Sequence, residues 1–242
     1  MRENQNVPID WDWSGMRKLW FKAASEFTGF HEKLAANLAE NELSGCRSVL
    51  DAGCGLGLLS LAFSHYFDSV TAIDMNSDAI SSLKDDMAFR ATNNISALCG
   101  DCLEYTGGQD AAVLCFFRMP DFRLLSSRYG RVIRVTAAGS KYLSADDGQG
   151  RHCMRDGLDG LLVSQSIKSS YRELSLEFGQ PLRDLADAKA FVKCQTPGAS
   201  DSEIENYLNN MLTETGDSEF PLYIPHLKEM GIYLINFKED CK

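Results

Sequence analysis

From residue 48 onward the chain alternates short apolar runs with stretches of helical periodicity. The runs are SVLDA (48–52), SVTAID (69–74), ISALCGD (95–101), DAAVLCFF (110–117) and RVIRVTA (131–137). Between them, Leu58 to Tyr66, Ser77 to Ala91 and Asp121 to Ser127 read as helices. Strands that alternate with helices imply crossover connections and a mostly parallel sheet covered on both faces, a doubly wound α/β domain. Its ligand crevice should lie beyond the carboxyl ends of the strands.

The flanks carry other patterns. Ahead of the first run, Trp13, Met16, Trp20, Ala23, Ala24 and Phe27 recur every three to four residues and predict one apolar helix stripe. HEKLAANLAENEL (31–43) is rich in good helix formers and predicts a second helix. After residue 138 the regularity fails, and 139–160, rich in glycine and charge, reads as a long loop. YRELSLEFGQPL (171–182) alternates as one half-exposed strand, and GIYLINF (231–237) as the last strand. Two helices are expected between them, at 184–194 and at 201–214, the second capped by Asp201 or Ser202. The organisation expected is an N-terminal helical cap over 1–44 and a core over 45–182. A helical insertion or lid over 183–219 and a last-strand region over 220–242 complete it.

Composition narrows the class. At 242 residues, 44% apolar and 24% charged, the chain suits one globular domain with a full core. No window approaches the length of a membrane span, and the polar, acidic start MRENQNVPIDWDW does not look like a signal peptide, so the expected location is the cytoplasm. The eight cysteines are scattered, which favours reduced thiols. The close pair Cys99 and Cys102 lacks the second pair that a metal site would need. A net charge of −10 counts against a nucleic-acid grip, which draws on clustered Lys and Arg.

The chemistry concentrates in SVLDAGCGLG. Gly53, Gly55 and Gly57 follow an apolar strand and precede a helix, where residues without a Cβ accept positive φ and let a ligand lie against the backbone. Asp74 ends the second run, about twenty residues on, where a carboxylate can accept both hydroxyls of a ribose. Asp101 ends the third, followed by Cys102 and Leu103, where a carboxylate and nearby backbone can meet an adenine amino group. A dinucleotide fingerprint would need glycine at the first, third and sixth positions, but Leu58 or Ser60 stands at the sixth. Asp51 would also repel a pyrophosphate, whereas it suits a sulfonium or an ammonium.

With those residues in place, VLDAGCGLG resembles the glycine motif of the class I S-adenosylmethionine-dependent methyltransferases. The resemblance covers about residues 45 to 137. It implies a seven-stranded sheet whose last strand is antiparallel, and S-adenosylmethionine as methyl donor. By position it places Asp51 near the amino or sulfonium end, Asp74 at the ribose and Asp101 at the adenine. The slot it implies comprises Asp51, Gly53, Cys54, Gly55, Gly57, Asp74, Met75, Asp101, Cys102, Leu103, Cys115 and Phe116. Cys115 is expected as a thiol packed beneath the cofactor, and Phe116 with Phe117 as a dry wall near the methyl group.

The acceptor is not written in the same way. VLCFFRMPD (113–121) carries neither the Asn/Asp-Pro-Pro-aromatic signature of amino-group methylases nor a Pro-Cys nucleophile. Asp121 is too late for the carboxylate set of metal-dependent relatives, so no metal is expected. His31, His65, His152 and His226 are isolated, and none is assigned a catalytic role. An insertion that roofs the pocket favours a small-molecule acceptor. A protein or peptide acceptor, and a silent protein that holds the donor without turnover, stay open.

Overall fold

A computed structural model of the protein describes residue 13 and residues 15–117, 119, 121–138 and 154–237, with side chains from 158 onward in the last segment. Two helices lead, α1 (Gly15–Thr28) and α2 (Phe30–Glu40). The alternating part follows as β1 (Ser48–Ala52), α3 (Leu58–Phe63), β2 (Ser69–Asp74), α4 (Ser77–Phe89), β3 (Ile95–Cys99), β4 (Ala111–Cys115), α5 (Arg123–Ser126) and β5 (Arg131–Ala137). Then come α6 (Met154–Ser164), β6 (Ser169–Glu177), β7 (Gln180–Leu182), α7 (Leu185–Gln195), α8 (Asp201–Met211), β8 (Thr213–Glu214), β9 (Leu222–Ile224) and β10 (Leu227–Asn236).

Seven strands form one sheet in the order β3-β2-β1-β4-β5-β10-β6. β10 runs antiparallel to both of its neighbours and the other pairings are parallel, as the resemblance implies. The central strands β1 and β4 are apolar apart from Ser48 at the start of β1 and the buried Asp51, because helices cover both of their faces. One face packs Phe30, Leu34, Leu38, Phe63 and Leu83 from α2, α3 and α4. The other packs Phe122, just ahead of α5, Leu125 from α5, and Leu158 and Leu162 from α6. Burying each such side chain stabilises the fold by about 1.5–3 kcal/mol.

Several sequence expectations shift. The expected strand over 171–182 breaks at Phe178 and Gly179 into β6 and β7, and β7 leaves the main sheet to pair with β9, whose other edge pairs with β8, in a small antiparallel one. The break has a steric cause. A Cβ at Gly179 would lie 2.2 Å from the Tyr223 hydroxyl and 2.6 Å from the Ile224 carbonyl oxygen, so only glycine lets β9 approach so closely. The expected loop over 139–160 ends in α6, whose apolar positions pack beneath β5. The helix expected over Asp121 to Ser127 shrinks to the four residues of α5.

The N-terminal stripe is also corrected. Trp20, Ala24 and Thr28 are buried, whereas Met16 and Phe27 stay 43% and 41% exposed. Trp20 joins the insertion rather than the sheet: its ring meets Phe191 of α7 at 5.5 Å, and its indole N–H donates to Asp187 at 2.8 Å. The cap of α8 is Ser200, one residue ahead of the expected Asp201 or Ser202, in a reciprocal capping box with Glu203. Among the described residues no helix is long and apolar enough to cross a membrane.

Candidate functional site

The carboxyl ends of β1, β2, β3 and β4 meet at one rim. β1 runs into the glycine turn, which the end of β2 holds: the N–H groups of Gly53 and Cys54 both donate to the Ile73 carbonyl, at 2.8 and 3.0 Å. Gly53, Gly55 and Gly57 have φ of 71°, 53° and 70°, a region that side chains disfavour. At Gly57, the N-cap of α3, a Cβ would lie 2.5 Å from both methyl carbons of Leu83, so the glycine also sets how closely α3 and α4 pack. A Cβ at Gly53 would lie 2.3 Å from the Phe117 ring, and one at Gly55 would lie 3.1 Å from the Trp13 ring. The aromatic side chains thus rest directly on the turn.

Asp74 ends β2 half-buried and ties the rim together. One carboxylate oxygen accepts from Gly55 N–H at 2.8 Å and the other from Asn76 N–H at 2.8 Å. Asn76 then caps α4 by accepting from Asp78 and Ala79 N–H. Each Asp74 oxygen keeps lone-pair capacity for a further donor. Asp101, past the end of β3, accepts from Leu103 N–H at 2.8 Å. Cys102 is buried in the core below, where burial pushes its thiol up to about 11. Met75 is 68% exposed, outside any enclosed part of the rim.

Asp51 is the outlier. It is 1% exposed inside the central strand, with no ion pair among the described residues, and accepts one hydrogen bond, from Ser60 Oγ at 2.5 Å. Burial pushes its carboxyl up to about 7; the Ser60 bond works against the shift and the Asp74 charge adds to it. The neighbouring Cys54 and Cys115 thiols are raised for the same first reason, with Asp51 adding in each case, and Cys115 reaches about 12. They are packed thiols, not thiolate nucleophiles.

One residue escaped the reading of the sequence. Because β10 is antiparallel, its first residues lie at the same rim, and Lys228 sets its ammonium 4.0 Å from the ring centre of Phe116, 4.8 Å from Phe178 and 5.4 Å from Phe30. Phe116 holds φ of +54°, an unusual backbone state for a bulky residue, just past β4. Nothing in LKEMGIYLIN sets Lys228 apart from an ordinary strand-edge lysine. Only the fold brings its three rings together.

The histidines fall elsewhere. His31 is buried in α2, bonded to Ser25 at 2.6 Å, and held down to about 3 by burial and then by Lys228. His65 is exposed, and His226 borders the rim with its pKa lowered by burial first. His152 lies outside the described residues.

Beside the rim, α1, the break between β6 and β7, and α7 enclose a cavity of about 170 Å³. It is lined by Trp13, Arg17, Trp20, Phe21, Ala24, Phe178, Gln180, Phe191, Cys194 and Gln195. A larger, open hollow of about 450 Å³ lies around Ser44, Asp110 and Arg131, where strands begin. It includes no residue of the rim, so its size does not bear on the chemistry.

Comparison with known proteins agrees with this architecture. Residues 49–137 match the methyltransferase domain family. A SAM-dependent methyltransferase from Aquifex aeolicus superposes with a TM-score of 0.53 over 93% of this chain and 99% of that one, at 12% identity. The fold is that of the class I S-adenosylmethionine-dependent methyltransferases. A precorrin-6y C5,15-methyltransferase from Geobacter metallireducens follows it at a TM-score of 0.50 and 10% identity, over 84% of this chain and 89% of that one. In sequence, 78 residues are 38% identical to the ribosomal protein L11 methyltransferase of Phocaeicola vulgatus, covering 31% of this chain and 27% of that protein. Another 31% identity, over 96 residues, links it to the magnesium-protoporphyrin O-methyltransferase of Rhodobacter capsulatus, covering 38% of this chain and 42% of that protein. The chain thus spans less than half the length of these relatives.

Proposed function

We propose that this methyltransferase-fold chain transfers a methyl group from S-adenosylmethionine directly to a small-molecule acceptor. The observation that carries the reading is the buried carboxyl of Asp51, without an ion pair among the described residues, beneath a turn of three positive-φ glycines. A carboxyl held near neutrality by burial gains most from a ligand that brings positive charge, and an adenosine sulfonium does so. When bound, that donor supplies a methyl carbon already activated for displacement.

The residues at the rim fit such a ligand. Asp51 faces the sulfonium and ammonium end, and the backbone of Gly53, Cys54, Gly55 and Gly57 admits close approach. In this reading Asp74 takes the ribose hydroxyls on its free lone pairs, while Asp101 and Leu103 meet the adenine. Met75, Cys102 and Cys115 border the slot without a polar role. Phe116, Phe117 and Trp13 exclude water, and the Phe117 ring turns off Gly53 to make room. Displacement in line needs alignment and dryness more than covalent chemistry from the protein.

The small-acceptor part rests on the roof. α1 and the insertion close over the rim through Trp20 and Phe191, leaving a cavity suited to a small group rather than to a polymer. Incubation with S-adenosylmethionine and a metabolite extract should release S-adenosylhomocysteine. Release only with protein or peptide fractions would move the acceptor to that class, and tight donor binding with no turnover on any fraction would leave a silent binder.

A further inference from the structure

Resting on that reading, we propose that Nζ of Lys228 accepts the proton given up by the acceptor, so that the acceptor is a phenol, thiol or amine and not a carboxylate. Three features of its surroundings carry the assignment. The first is position. Lys228 pairs with Leu176 of β6, and two residues on, Met230 pairs with Ala137 at the end of β5, so the lysine stands at the carboxyl rim. Its ammonium lies over Phe116, directly past β4, and beside Phe178, which lines the roofed cavity. It thus stands beside the ring expected near the methyl group and beside the cavity that could take an acceptor.

The second is the lack of a counter-charge. Among the described residues the ammonium makes no hydrogen bond and no ion pair. Glu177, on the adjacent strand, spends one oxygen on the Tyr223 hydroxyl at 2.6 Å and on His226 N–H at 2.9 Å. The other groups that face Lys228 are the imidazoles of His31 and His226 and the Cys115 thiol, with Asp51 beyond that thiol. A lysine kept only for structure would reach a carboxylate or extend to water. Ring faces compensate a desolvated ammonium only in part.

The third is charge balance. Burial holds the Lys228 ammonium down to about 8, and a lowered pKa means that the free amine becomes populated at lower pH. A cationic donor in the slot opposes a second cation at the rim and favours loss of the Lys228 proton, while it favours the ionised form of Asp51. The donor's charge therefore readies both groups. In the transfer, a lone pair on the acceptor heteroatom X forms the X–C bond as the C–S pair returns to sulfur. The X–H proton passes to Lys228 Nζ and later leaves to solvent. A carboxylate, already ionised, would need no such step.

The test follows the lysine side-chain nitrogens of the intact protein by NMR, with S-adenosylmethionine or S-adenosylhomocysteine as the probe, and uses Lys228→Met to assign the signal. The expected result is a free-amine fraction about tenfold higher with the cationic donor than with the neutral product, at one pH. A Lys228 signal that titrates in the ordinary lysine range with the donor bound would overturn the inference. So would Lys228→Arg retaining full release of S-adenosylhomocysteine once an acceptor fraction is found, because a guanidinium can hold an anion but take no proton. Failure of S-adenosylhomocysteine to bind at all sinks the methyltransferase reading instead. If Lys228→Met does not fold, spectra of the wild-type protein with each probe still decide, since a lysine nitrogen displaced upfield from the ordinary ammonium position is read directly.

Discussion

The two halves of the rim are built differently. The half formed by β1, β2 and β3 is assembled from short contiguous segments, and backbone N–H groups fix its polar side chains: Asp74 by Gly55 and Asn76, Asp101 by Leu103. The half formed by β4, β10 and the insertion joins residues far apart in the chain, and at Lys228 ring faces surround an ammonium that has no hydrogen bond or ion pair among the described residues. On the proposed reading, a donor that is always the same rewards a rigid, locally encoded cradle, and an acceptor that differs among methyltransferases leaves its side free to be rebuilt from distant parts.

The largest effect that would break this contrast is loss of the cradle itself. Gly57→Val puts a branched side chain at φ +70° and drives it into Leu83, which is fully buried. Left-handed strain of roughly 1–2 kcal/mol and overpacking of roughly 1–3 kcal/mol add to about 3 kcal/mol. In a domain of this size that lowers Tm by roughly 10 °C. A thermal melt unchanged by Gly57→Val would mean that the turn is as adaptable as the other half.

Comparable in size is the pH dependence set by Asp51. Its folded pKa is raised from 3.8 to about 7, so across that window the folded state keeps a proton that the unfolded state has lost. Stability therefore falls as pH rises through the window, by up to about 1.4 kcal/mol per pH unit, and levels above it. Asp51→Asn should flatten that slope in denaturant titrations between pH 5 and 8. An unaltered slope would show that Asp51 already has a cation partner and that the two halves are not electrostatically distinct.

How much was legible follows the same division. The strands around the turn and their acidic ends were readable because β1, β2 and their glycines encode both conformation and chemistry within a few residues. The small sheet was not readable: QPL and LYI carry no pairing signal of their own, and the break at Gly179 depends on Tyr223 coming from 44 residues away. The α1 stripe misled in part because Trp20 serves a partner, α7, that local periodicity cannot name. Lys228 was invisible for that reason as well. Its meaning lies in Phe30, Phe116 and Phe178, which are brought together only by the fold.

A smaller effect sharpens the donor half. Asp74→Ala should weaken affinity for S-adenosylhomocysteine at least tenfold, of order 1.4 kcal/mol, by losing the ribose acceptor and freeing Gly55 N–H. Calorimetry giving the wild-type affinity would displace the slot from this rim.

The smallest effect tests whether the insertion is independent of the cradle. Ser200 caps α8, accepting from Glu203 N–H while Glu203 reaches back to Ser200 N–H at 2.8 Å. Ser200→Ala removes one side of that exchange and should cost about 1 kcal/mol. α8 packs on α7 through Ile204 and Leu208, which share an apolar cluster with Phe191 and Trp20, so the loosening should reach the roofed cavity. No element of the cluster supplies Asp51, Asp74 or Asp101. Hydrogen exchange should therefore quicken in α8 and α7 while affinity for S-adenosylhomocysteine holds within about twofold, as expected for sites that share no partners. A parallel loss of affinity would mean that the roof helps to shape the donor cradle, and the two halves would then be one cooperative unit.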